Sequence, residues 1–161
     1  MRRTHIVLVV VAGLLLPLFT ASPAAPACSG TANTAEKGFF SKMNAERKKK
    51  GKVPLKLDTQ LSKPAKLHTK EMINKGTLEH TPDDVLAKRV TNWKIIGENV
   101  GVGGDVKSLH DAFMNSPSHR DNILFSDYRY VGVGARKADG KLWVTVIFES
   151  VNDPGTTVTN C

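Results

Sequence analysis

The chain has 161 residues, 23 Lys+Arg against 15 Asp+Glu, a net charge of +8 and two cysteines. That length suits one compact domain and leaves no room for a second once a leader is removed. The basic balance does not make it a nucleic-acid binder, because its lysine-rich run, Arg47 to Lys52, carries no interleaved aromatics.

Arg2 and Arg3 precede an uncharged apolar run from Ile6 to Phe19, and small residues follow to Ala27. This order is that of a secretory signal peptide over residues 1–27. The run is short for a membrane-spanning helix, which disfavours the competing reading of a retained anchor and predicts no transmembrane helix in the mature chain. Cleavage after Ala27 makes Cys28 the new N-terminus; a cut a few residues earlier and a lipid on Cys28 are the alternatives, the second weakened by Ala25 where lipoprotein signals usually carry leucine. The other cysteine is the last residue, Cys161. In an oxidising compartment the two are expected to form a disulfide, which removes both thiols as nucleophiles.

Residues 28–38 read as a polar lead-in. Phe39, Phe40 and Met43 then fall at helical spacing, with Gly51 as a stop and the Arg47–Lys52 cations at the solvated negative end of that helix. A second helix is predicted over Ser62–Lys75, capped by Ser62 with Pro64 in its first turn; His68 lies on its apolar stripe as a packing residue. Leu78–Asp84 is a polar loop and Val85–Val90 at most a short helix. "NWKIIGENVGV" reads as a strand dissolving into glycine, whose glycines let the strand end turn sharply. Asp105 caps a helix over Val106–Asn115, and Pro117 opens another short one. The stretch from Tyr130 to Ser150 is a hairpin turning at Ala138–Asp139–Gly140, with Val144, Val146 and Phe148 alternating against Trp143, Thr145 and Ile147. Helices followed by mixed strands and helices give an α+β class, without repeats, low complexity or heptads.

The glycine-rich stretch Gly97–Gly104 lacks the third glycine of G-x-G-x-x-G and any Gly-Lys-Ser/Thr, so nucleotide binding is excluded. There is no G-x-S-x-G elbow and no H-E-x-x-H pair. Three polar groups remain: His80 in a loop, Glu98 on a strand and His119 in the first turn of a helix, where a positive charge is disfavoured. Two neutral imidazoles and a carboxylate suit a divalent cation, zinc by ligand type. Three residues pinning loops through backbone bonds are the other reading.

The segments "MNAERKKKGKVPLKLDTQL", "AKLHTKEM", "EHTPDD", "GENV", "FMNSPSHRDNIL", "YVGVG" and "WVTVIFES" occur in the order found in the bacterial branch of the CAP superfamily, the SCP-like domain of cysteine-rich secretory proteins, antigen five and plant pathogenesis-related proteins. The resemblance covers Phe39–Ser150 and leaves 151–161 as a tail ending in Cys161. It implies a three-layer α-β-α sandwich with a small central antiparallel sheet. It also implies a cleft lined by two histidines and two acids, where some members bind divalent cations. His80, Glu98 and His119 match three of the four. The second acid falls on Ser116, a departure that weakens a complete site, and Ser118 stands where bacterial relatives commonly have glycine. Asn44 and Arg47 match an Asn-x-x-Arg feature read as structural. The resemblance favours a secreted, non-catalytic binding module, at the cell envelope or on an extracellular lipid, protein or polymer. The alternative is a metal-assisted hydrolase with Glu98 as candidate general base. The chain offers no Ser, Cys or Thr with an orienting base, which disfavours covalent catalysis.

Overall fold

The computed structural model describes residues 31–151 and 154–159; the expected signal peptide, Cys28 and Cys161 lie outside them. In chain order the elements are α1 (Thr34–Lys49), β1 (Lys56–Leu57), α2 (Thr59–Lys75), α3 (Asp83–Arg89), β2 (Val90–Thr91), β3 (Ile96–Gly103), α4 (Val106–Asn115), α5 (Pro117–Leu124), β4 (Tyr130–Ala138), β5 (Lys141–Glu149) and β6 (Gly155–Thr156).

The β4–β5 hairpin forms where the alternation and the Asp139–Gly140 turn place it, both turn residues having positive φ. Its even β5 positions Leu142, Val144, Val146 and Phe148 join Phe39, Met43, Phe113 and Ile123 in one core. Ile147 faces the opposite core with Leu61, Ala65 and Leu86, and Trp143 packs there with Met72 and Val100. The sheet is thus sandwiched between α1, α4 and α5 on one side and α2 and α3 on the other. Its order is β1-β4-β5-β3. The pairs are antiparallel except β1, which runs parallel to β4 through Lys56↔Tyr130 and Leu57↔Val131, so the sheet is mixed.

Several boundaries differ from expectation. Residues 34–38 of the lead-in are helical: Asn33 caps α1 with a reciprocal Glu36 bond, and the pair closes the β4 edge, Asn33 donating to the Ala135 carbonyl and Glu36 accepting its N–H. The second helix starts at Thr59, because Asp58 accepts from the Gln60 and Leu61 N–H groups and outcompetes Ser62. Ser62 instead donates to the Asp58 carbonyl and accepts the Val133 N–H, and Pro64 lies one turn further in than expected. The tail does not leave the domain at Ser150, since β6 pairs with β2 and Val158 is buried. Arg47 is not solvated with its lysine neighbours but fully buried. The structural reading of Asn44 holds: its amide exchanges two bonds with the Leu55 backbone. His68 packs as expected, bonded to the Glu79 carbonyl at 2.8 Å and facing Glu71 at 3.3 Å.

His110 on α4 is 3% exposed, and its Nε2 has no hydrogen-bond partner among the described residues. Burial first, then Lys42, hold its pKa below the ordinary 6.5; Lys49 acts the same way, and Glu46 and Asp111 oppose. The unfolded chain therefore takes up this proton before the folded one does. The stability it carries is full above pH 6.5 and is lost as pH falls from there through the lower folded value. Thermal midpoints from pH 8 to 5 should fall less steeply for His110→Phe than for wild type; parallel slopes would refute the assignment.

Candidate functional site: a cleft at the edge strand

β3 is the open edge of the sheet, and its period-two alternation sends neighbouring residues to opposite layers. Gly97, Gly101 and Gly103 face α4 and α5, where an added Cβ would strike the Tyr128 hydroxyl, the Phe113 ring and Leu109. None of the three has positive φ, and the strand continues through Gly103. The glycines therefore do not turn the strand, as the sequence suggested; they thin one face so that α4 can approach.

Glu98 points the other way, toward the loop after α2. Its side chain is 4% exposed and fully engaged. Oε1 accepts from His80 Nδ1 at 2.9 Å and from the Thr81 N–H at 2.9 Å, while Oε2 accepts from Thr81 Oγ1 at 2.7 Å. A carboxylate can only accept, so Nδ1 of His80 carries a proton, and Nε2 is the nitrogen left to offer a lone pair whenever the ring is neutral. The His80 side chain is 58% exposed, which presents that nitrogen to solvent.

Asn99, fully buried, turns toward α5. Its amide donates to the His119 carbonyl at 2.9 Å, and Asn122 donates to Asn99 Oδ1 at 2.9 Å and to the Glu98 carbonyl at 3.2 Å. This network ties the start of α5 to the same strand that holds Glu98. His119 stacks on Phe113 at 4.9 Å, and its Nδ1 meets Ser116 Oγ at 2.8 Å. The hydroxyl both donates and accepts, so it steadies the ring in either tautomer. Burial, and then the charge on His80, lower the His119 pKa, a direction that favours the neutral imidazole; neither cause is the helix terminus that the sequence points to.

A cleft of about 420 Å³ opens beside Glu98, with His80, Asp83, Leu86, Trp93 and Ile96 among its walls. His119 and Ser116 are not among them; they stand on the α5 side of β3. The structure thus brings His80 and Glu98 into direct contact and sets His119 close enough to feel the charge of His80. It makes Glu98 an orienting partner of His80, with both oxygens committed. Thr81, Asn99, Asn122 and Trp93 were not singled out from sequence. All four lie within or beside the quoted motifs, but a polar residue in a loop or strand carries no mark of its partner.

The model of the cysteine-rich secretory protein family, CAP, matches residues 40–148. This chain belongs to the CAP family. The CAP chain is 34% identical over 115 residues to the uncharacterized protein YkwD of Bacillus subtilis (strain 168), covering 67% of the chain and 44% of that protein, so it spans under half of the relative's length. The CAP fold recurs in an outer surface protein of Borrelia burgdorferi, with a TM-score of 0.66, 23% identity and coverage of 72% of this chain and 92% of that one. It recurs also in an extracellular SCP-domain protein of Bacillus anthracis str. Ames, with a TM-score of 0.64, 23% identity and coverage of 73% and 40%. NaASP2, solved with Zn2+, aligns with a TM-score of 0.62 at 10% identity over 85% and 90% of the two chains. Among the described residues of this CAP chain, no helix is long and apolar enough to cross a membrane.

Proposed function

We propose that this CAP chain is a secreted, non-catalytic binding module of the cell envelope whose His80–His119 region takes a divalent cation, zinc by ligand type. The observation that carries the reading is the buried Glu98 carboxylate on His80 Nδ1 at 2.9 Å, which holds the ring and leaves Nε2 free. Metal-binding histidines are commonly held this way, by a carboxylate on the other ring nitrogen. His119, neutral and seated on Ser116, is the second donor. No three His, Cys, Asp or Glu side chains form a preformed cage among the described residues, so water completes the shell and binding is modest. The fold alone favours neither a lipid nor an envelope polymer as the ligand, since a fold does not specify one.

The same bonds argue against the hydrolase alternative. A general base must reach water, whereas the Glu98 side chain is 4% exposed and each of its oxygens already accepts from His80 or Thr81. Zinc titration of the leaderless chain should give one site. His80→Ala and His119→Ala should each remove it, and Glu98→Gln, which keeps the shape, should weaken it by about 10–100-fold. Zinc binding indifferent to His80→Ala would sink the reading.

A further inference from the structure

The cleft beside Glu98 has a second wall. Trp93, between β2 and β3, is 44% exposed, a large apolar ring left in water. The ring is held in place: its indole N–H donates to the Ala87 carbonyl on α3 at 3.3 Å. The turn that carries it is pinned behind by Lys94 N–H on the Glu149 carboxylate at 2.9 Å and Ile95 N–H on Ser150 Oγ at 3.1 Å. Such a pinned aromatic has already lost the freedom that binding would otherwise cost it.

The charge of the cleft is as informative. The chain carries +8 overall, yet no lysine or arginine lines this cleft, and two carboxylates, Asp83 and Glu98, do. An anionic ligand would meet repulsion from these two carboxylates, with no lysine or arginine in the walls to offset it. A purely apolar ligand would bury the exposed Asp83 carboxylate and the outward Nε2 of His80 without partners. About 420 Å³ exceeds what a simple ammonium group fills and lies within the range of small-molecule sites. A neutral ring with one apolar face and a rim of hydroxyls meets all these conditions at once.

We propose that this cleft is a saccharide subsite, in which a neutral pyranose ring stacks on Trp93 and donates hydroxyl hydrogen bonds to Asp83. The proposal rests on the reading of the His80–Glu98 cleft as a binding site, and places the sugar on the Trp93 side of it, next to the metal-binding histidine. It needs no metal.

The test titrates the leaderless full chain, in chelator, with chitotriose, cellotriose and maltotriose, and with tetramethylammonium as the cationic probe; tryptophan emission and proton NMR are read. Binding of at least one trisaccharide is expected up to tens of millimolar. Trp93→Ala should weaken it by about tenfold or more, Trp93→Phe should retain part, and Asp83→Asn should weaken it, each variant remaining folded as read by its proton NMR dispersion. His119→Ala, outside the walls of this cleft, should abolish zinc binding and leave the trisaccharide affinity within a few-fold. The proposal is overturned if no trisaccharide binds, if Trp93→Ala binds as wild type, or if tetramethylammonium alone is bound. Loss of zinc binding in the unmutated chain, with sugar binding intact, would overturn the metal reading and leave this one standing.

Discussion

Gly134→Val is expected to unfold the protein at room temperature or to leave it barely folded. Gly132 and Gly134 sit on the α2 face of β4, and their flat surface is where the helix lands. A Cβ at Gly134 would lie under 3.0 Å from the Ala65 carbonyl and the Lys66 nitrogen, and one at Gly132 would meet the Leu61 carbonyl and the Ser62 nitrogen equally closely. These are backbone atoms, so no side chain can swing aside; the whole of α2 must lift. Lifting it breaks the bonds from Thr69 Oγ1 to the Gly134 carbonyl and to Thr145 Oγ1, both 3.0 Å, and opens the core around Leu61, Ala65 and Met72. Overpacking by a methylene costs about 1–3 kcal/mol where neighbours can adjust, and a backbone obstacle belongs above that range. Urea midpoints measure it, with Lys137→Ala on the exposed end of the same strand as the neutral control. A Gly134→Val midpoint equal to wild type would mean that α2 does not bear on β4 as described.

Arg47→Met should cost about 3 kcal/mol or more, although it keeps the length of the side chain and removes a charge from the interior. Arg47 is fully buried, and its guanidinium meets four backbone carbonyls: Nε to Val53 at 2.8 Å, Nη1 to Ile123 at 2.9 Å and Phe125 at 2.8 Å, and Nη2 to Tyr128 at 3.2 Å. Burial, then the nearby charge of Arg129, lower its pKa, yet an arginine stays protonated in a protein. Methionine would leave several carbonyls buried without donors, at about 1–3 kcal/mol each. Arg47→Lys should fail too, because a point ammonium cannot span a fork reaching three segments. Denaturant unfolding reads both variants, and a loss under about 1 kcal/mol for Arg47→Met would show that the carbonyls find other donors. Because Arg47 anchors the end of α5, and His119 sits at its start, the zinc binding proposed above should weaken with stability in any variant that still folds.

Both effects bear on how much could be read from the residues alone. "YVGVG" and Asn44-x-x-Arg47 stood out as motifs, and the second was read as structural. What neither discloses is the partner: the carbonyls that Arg47 satisfies lie 6 to 81 positions away in the chain. Both helix starts depart from the sequence expectation for a local reason. Asp58 and Ser62 are both competent caps, and Asn33 sits in a stretch too polar to resemble a core element, although its bonds to Ala135 make it part of the sheet edge. The short strands β1, β2 and β6 were missed because two residues carry no periodicity.

The class, the family, the hairpin with its inward and outward residues, and the three polar residues His80, Glu98 and His119 are legible in the order of residues along the chain. Those features are local, set by the spacing of neighbours along one strand or helix, or by motifs in a fixed order. Four features emerge from the folded chain alone: β3 is the edge strand, Glu98 and Asn99 serve opposite layers, Glu98 holds His80 instead of standing free, and Trp93 forms the other wall of the cleft. The physical reason is that sheet order and layer packing come from contacts between distant segments, and a residue's chemistry is set by whichever of those segments closes over it.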